Sequence, residues 1–84
     1  MNDKELANAV VAILGFEVSD MYDKPLYDWR VAGALTQKVD AVYIEALVDG
    51  TWQAQALIDS MPTHVYEAHE APRAIIEAAV EALT

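Results

Sequence analysis

The stretch AVYIEALVDGTWQAQALI, residues 41–58, decides how this chain folds. Apolar and polar residues alternate along it, and the alternation breaks once, at Asp49-Gly50. Residues 41–48 and 51–58 are therefore read as two strands of a hairpin. An Asp-Gly pair commonly marks a two-residue turn. That register sets Ile44 beside Gln55 and Ala46 beside Gln53, which mixes apolar with polar side chains. A three-residue loop, Val48-Asp49-Gly50 with Gly50 left-handed, instead pairs Val42 with Ala56, Ile44 with Ala54, and Ala46 with Trp52. The opposite face then carries Tyr43, Glu45, Leu47, Gln53 and Gln55. A one-residue slip sends every side chain to the other face, so the face pattern outranks the turn signal. The three-residue loop is expected, with Trp52 on the face of Val42 and Ile44.

Upstream, Asn2-Asp3-Lys4-Glu5 reads as a capping box opening a helix over about residues 3–14. Leu6, Val10, Ile13 and Leu14 share one face of it, and Gly15 stands where a left-handed terminating glycine belongs. Asp28 caps a second helix, 29 to about 39, whose inward stripe is Trp29, Ala32, Gly33, Leu35, Thr36 and Val39. A glycine in mid-helix costs about 1 kcal/mol against alanine, so a close neighbour over Gly33 is expected. Downstream, Asp59 to Thr63 is a turn around Pro62, and His64 to Ala68 a short third strand. Pro72 then opens a last helix ending at Leu83, with Ala74, Ile75, Ala78, Ala79, Ala82 and Leu83 facing inward. The order α-α-β-β-(β)-α implies one α+β domain over residues 1–84, a small antiparallel sheet flanked by helices.

Composition narrows the function. Asp and Glu number 14 against five Lys and Arg, a formal charge of −9, so a basic surface for direct nucleic-acid binding is not expected. The acidity suits a basic protein partner and permits nucleic-acid mimicry. No cysteine is present, which excludes disulfides and thiolate metal sites. The longest apolar run, Ala9 to Leu14, is too short for a membrane span. The first residues lack a signal-peptide pattern, so the cytoplasm is the expected location.

Catalytic chemistry finds little to stand on. His64 and His69 are five apart, a spacing that suits neither a helical nor a strand metal pair, even with Glu67 and Glu70 nearby. Ser19 and Ser60 lack a nucleophile elbow, and the glycines at 15, 33 and 50 are explained by backbone geometry. Asp20, Asp23 and Asp28 share a loop but lack the alternation and turn glycine of a calcium loop. Neither a metal, a cofactor nor an enzymatic activity is expected. Arg73, near Glu67, Glu70 and Glu77 in the first turn of the last helix, is expected to be structural and to form an ion pair, worth less than about 1 kcal/mol if exposed and more if buried.

The candidate interaction surface is the loop between the first two helices. Met21, Tyr22, Asp23, Tyr27 and Trp29 fall within nine residues and have the composition of interface anchors. The competing reading folds two or three of them onto the core. A secondary candidate is the outer sheet face, where Tyr43, Gln53 and Gln55 offer stacking and amide hydrogen bonds to a small molecule such as a nucleotide. The five basic residues, Arg30, Arg73 and three Lys, argue against a phosphorylated ligand. With one Phe and many Ala, the monomer buries few large side chains, and a homodimer is expected. It would form through the last-helix alanines or through Tyr43, Leu47 and Leu57.

Several stretches line up with a known pattern: Leu14-Gly15-Phe16-Glu17, Asp28-Trp29 with Ala32-Gly33-Ala34-Leu35, and Asp49-Gly50-Thr51-Trp52. The most specific runs from Tyr66-Glu67-Ala68 through Ala71-Pro72-Arg73-Ala74-Ile75-Ile76-Glu77-Ala78. The chain resembles the phage ABA-sandwich domain family of small bacteriophage proteins. That family often has cysteine in the final helix, where Ile76 and Ala79 stand here. The resemblance implies a phage or prophage origin, helices flanking a small sheet, and no known enzymatic activity. Together with small size, acidity and missing chemistry, it leads to the expectation of an accessory protein that binds a host or phage protein in the host cytoplasm. It transfers no functional residue.

Overall fold

The hairpin closes through the three-residue loop. A computed structural model describes residues 1–84. In it β1 (Ala41–Ala46) and β2 (Trp52–Ile58) pair antiparallel, with Val42 opposite Ala56, Ile44 opposite Ala54 and Ala46 opposite Trp52. The Leu47 amide donates to the Thr51 carbonyl at 2.8 Å and the Gly50 amide to the Leu47 carbonyl at 3.1 Å. Gly50 sits at φ 88, as a left-handed bulge residue must. Asp49 caps the turn, its carboxylate accepting from the Thr51 amide at 3.0 Å and the Thr51 hydroxyl at 2.6 Å.

The chain leaves β2 through Asp59-Ser60, both left-handed at φ 52 and 64, which is the geometry of a two-residue hairpin turn. Two short strands follow where one was expected. β3 (Met61–Pro62) pairs with the end of β2, and β4 (Tyr66–Ala68) pairs with its beginning. The sheet is therefore four-stranded and antiparallel, with β2 in the middle and β1 alone at one edge.

The helices bear out the α+β order. α1 spans Asp3–Leu14 with its capping box intact: the Glu5 amide donates to Asn2 Oδ1 at 2.8 Å and the Asn2 amide to Glu5 Oε1 at 3.2 Å. Gly15 ends it at φ 83. α2 spans Trp29–Thr36, shorter than expected, after Asp28 accepts the Arg30 amide. α3 spans Ala71–Leu83 and is the centre of the molecule. It lies against β2 and β4 on one side and against α1 and α2 on the other. Ala74, Ala78, Ala79, Ile76 and Val80 are accordingly all 0–1% exposed, as are Ala54 and Ala56 of β2. Leu6, Val10, Val18, Leu26, Val31, Ala32, Leu35 and Ile75 complete the core. Each Leu, Val or Ile among them contributes about 1.5–3 kcal/mol by leaving water.

Four expectations are corrected by this packing. Trp29 is not inward but 62% exposed; Val31, two residues on, is buried instead. Ile44 is 41% exposed and Ala46 is also open, although both share the face of Ala54, because α3 lies over β2 and reaches β1 only at its margin. Nothing packs over Gly33: a methyl group added there meets no atom within 4 Å. The last-helix alanines Ala74, Ala78 and Ala79, expected at a dimer interface, are already enclosed within the chain.

Arg73 makes the expected ion pair, with Glu77 at 2.8 Å. It is buried, and it holds Asp3 at 2.7 Å as well, but neither Glu67 nor Glu70. Its guanidinium lies 5.4 Å from the Tyr27 ring centre, so one side chain joins the start of α1, the loop and α3. Its Nη1 is buried without a partner.

A second polar tie fastens the β3–β4 segment to α3. The Glu81 carboxylate accepts from the His64 amide at 3.0 Å and the Tyr66 hydroxyl at 2.8 Å, and shares a 2.6 Å hydrogen bond with His64 Nδ1. Burial pushes the Glu81 carboxyl up, but the bonds from His64 and Tyr66 outweigh it and hold it below its ordinary value. Burial, with the bond to Glu81, pushes the Tyr66 phenol up to about 12.

Two stability outcomes follow from these contacts. Gly33→Ala gains helix propensity without a clash and should raise stability by about 0.5–1 kcal/mol in urea unfolding. Arg73→Ala loses a buried stem and leaves Glu77 and Asp3 unpaired. Removing one partner of a fully buried pair costs about 3–5 kcal/mol, and the exposure of Asp3 reduces that to about 2 kcal/mol in the same assay. A loss below about 1 kcal/mol would contradict the buried tether.

Candidate interaction surface

The segment between α1 and α2 is irregular but not loose. Two aliphatic side chains pin it: Val18 is 1% exposed and Leu26 is 8% exposed. Each belongs to a single tight turn, Val18–Asp20 and Pro25–Tyr27. In the first, the Val18 carbonyl accepts the Met21 and Tyr22 amides at 3.1 and 3.0 Å. In the second, Pro25 presets the backbone and the Tyr27 amide donates to the Lys24 carbonyl at 3.0 Å. A segment anchored at two points can present large side chains without collapsing onto the core.

The loop candidates separate in this frame. Met21 and Trp29 are 61% and 62% exposed, and Tyr27 is 39% exposed. Asp23 is exposed, whereas Tyr22 is half-buried against the core. Met21, Tyr22, Asp23 and Tyr27 come together around one concavity of about 460 Å³, joined by Lys24, Asp28, Arg30 and Glu70. Trp29 does not line it. Tyr27, Lys24 and Glu70 also border a second open hollow of about 730 Å³, with Leu26, Lys4 and His69 among others.

Charge in the first concavity is largely committed. The Arg30 guanidinium bonds Asp28 at 3.0 and 2.8 Å and stacks over the Tyr22 ring, 4.4 Å from its centre. Asp28 also accepts the Arg30 amide at 2.7 Å as the α2 cap. The Arg30 side chain, with the backbone amides of the helix start, holds the Asp28 carboxyl below its ordinary range. Asp28 is thus occupied as a cap, and no three His, Asp or Glu side chains of the chain converge as metal ligands. What remains free along the segment is Asp20, Asp23, Met21, Tyr27 and Trp29, with Lys24 among them.

The secondary candidates also meet. Tyr43, Gln53 and Gln55 line a shallow hollow of about 330 Å³ on the open sheet face, with Ile44, Glu45 and Val65. Their amides are already engaged, Gln55 Nε2 donating to the Thr63 carbonyl at 2.8 Å and Gln53 Nε2 approaching Glu45 at 3.4 Å. No Lys or Arg lines this hollow.

Sequence reasoning misses two participants. Arg30 enters it only as a scarce cation, yet it organises Tyr22 and Asp28; its place two residues after a cap is the available signal. Glu81 is not singled out at all, although Glu77 and Glu81 stand one turn apart on an otherwise apolar stretch of helix.

The exposure of Trp29 can be read directly. With Trp52→Phe leaving Trp29 as the only indole, emission should lie near that of free tryptophan and be strongly quenched by acrylamide. A blue-shifted, protected indole would contradict the outward placement.

Neither a scan against protein-family models nor searches of curated proteins and of solved structures returns a match.

Proposed function

We propose that this chain is a non-enzymatic protein-binding module of phage or prophage origin, acting in the host cytoplasm by holding a host or phage protein on the loop between α1 and α2. Counter-defence, by occupying a host effector, is one form of that action. The observation that carries the reading is the outward placement of Met21, Tyr27 and Trp29 on a loop pinned by Val18 and Leu26. Large apolar side chains on a preorganised backbone lose little further entropy on binding, and Met, Tyr and Trp are enriched at interfaces.

Charge describes the complementary partner. The apolar anchors stand among the free carboxylates of Asp20 and Asp23, with Asp28 paired to Arg30, in a chain of net charge −9, so a basic, apolar-rimmed pocket is the matching surface. The small-molecule alternative rests on the open sheet face, where engaged amides and the lack of a cation leave less to recognise a ligand.

Affinity capture from bacterial lysate tests the loop. The wild type and a Met21→Ser/Tyr27→Ser/Trp29→Ser variant are compared after circular dichroism has shown the same fold. Each lost hot spot is worth about 2 kcal/mol, so the partner recovered by the wild type should fall by well over about tenfold. Equal recovery with both proteins, or none above background with either, counts against the proposal.

A further inference from the structure

The free edge of the sheet carries a second recognition surface, independent of the loop. β1 has a neighbour on one side only. The Leu47 amide bonds to Thr51, so in an antiparallel ladder the odd residues of β1 bond inward to β2. The even residues of β2 point the other way, as the Thr63 amide on the Ala56 carbonyl at 2.9 Å shows. It follows that the amides and carbonyls of Val42, Ile44 and Ala46 point off the open edge.

This edge lacks the usual protection. Natural edge strands are blunted by lysine, proline, bulges or a covering loop. Residues Ala41–Ala46 contain neither Lys nor Pro, pair with β2 without a break, and carry one charge, Glu45. Ile44 and Ala46, moreover, remain open on the face that α3 covers farther in.

We infer that β1 is the seam of a two-fold homodimer, in which it pairs antiparallel with β1 of a second copy and continues the sheet across the axis. The register can be derived. A two-fold axis perpendicular to the sheet keeps even residues of both copies on the helix side, so even must face even. Centring the axis on Ile44 sets Ile44 opposite Ile44, Val42 opposite Ala46, and Tyr43 opposite Glu45, with the outward backbone groups of all three even residues paired. A shift by one residue in each strand, centring on Glu45, would set that carboxylate against its copy, which is destabilising. The opposite shift, centring on Tyr43, sets Asp40 beside Ala46 and leaves the end of the strand unpaired. The Ile44-centred register puts no like charges in direct opposition, brings the Tyr43 hydroxyl toward a carboxylate, and covers Ile44 and Ala46 with apolar side chains. A copy of this chain therefore fits the edge in charge, pattern and length.

Sedimentation and cross-linking test the seam. At roughly 100 μM, where micromolar dissociation constants give mostly dimer, the wild type should show twice the 9.2 kDa chain mass. Ile44→Lys places two ammonium groups at the axis and should return the mass to that of one chain, with circular dichroism unchanged because Ile44 is already half open. The chain has no cysteine, so Ile44→Cys adds a single thiol. Hydrogen-bonded antiparallel partners lie about 5.5 Å apart at Cα, with Cβ atoms beyond the roughly 4.5 Å that a disulfide takes. A short bismaleimide rather than oxidation should therefore bridge the two thiols and give a linked dimer. Asn8→Cys, on the exposed side of α1, should not cross-link. A monomeric wild type leaves the edge to another protein's strand and overturns the inference. A dimer that survives Ile44→Lys, or an Ile44→Cys variant that fails to link with the bismaleimide, overturns it equally. Loop variants that abolish partner capture leave the dimer intact, so the two proposals fail separately.

Discussion

The burial of α3 on both sides is the constraint on which the rest of this structure depends. Nine of its 13 residues are buried, from Ala71 to Val80, which leaves it almost no solvent face. A helix enclosed in this way needs small side chains where backbones approach and large ones where gaps remain. Ala74, Ala78 and Ala79 supply the first, and Ile75, Ile76 and Val80 the second. On β2 the facing positions are Ala54 and Ala56, equally small and equally enclosed. One short helix cannot cover a four-stranded sheet, so β1 is left open at its edge. The chain must also pass from α1 to α2 around the start of α3, which holds the Pro25–Tyr27 turn against it. The open edge and the aromatic loop are both consequences of where α3 lies.

Polar contacts hold this arrangement in place more than they stabilise it outright. In a chain of net charge −9, Arg73 is enclosed between two carboxylates and under an aromatic ring. Desolvating a guanidinium is costly, and ion pairs of this kind return about as much as they cost. Their value is positional, because an alternative packing would leave the charge unpaired. Glu81 acts similarly at the other end of α3, where a backbone amide, a phenol and an imidazole converge on one carboxylate. The pair of Arg30 with Asp28 is exposed and worth little in stability. Its effect is to fix the ring of Tyr22 and the start of α2, and so the frame in which Met21 and Tyr27 are displayed.

Local chemistry makes much of the fold legible. The capping box at Asn2 and Glu5, the left-handed Gly15, and the Asp28 cap each involve residues within a few positions of one another. The hairpin register is readable for a similar reason, since cross-strand parity ties side-chain character to the loop length. Composition groups the loop residues Met21, Tyr22, Asp23 and Tyr27, and the structure does gather them around one concavity. Trp29 is harder. At 3.6 residues per turn Leu35 lies about 40° round the helix from Val31 but about 120° from Trp29, so the period favours the stripe through Val31 and Leu35, and the size of Trp29 is what misleads.

The sequence by itself determined the element order, the caps and the hairpin register, because each depends on chain neighbours or on period-two alternation. Tertiary structure alone decided which sides of those elements meet. Arg73 bonds Asp3, a residue 70 positions away, rather than Glu67 or Glu70 beside it. Ile44 and Ala54 share a face, yet one is open and the other enclosed, because α3 is one helix wide and lies over β2. Alternation can assign a side chain to a face, but burial requires something to cover that face, and coverage is set by where a distant helix packs.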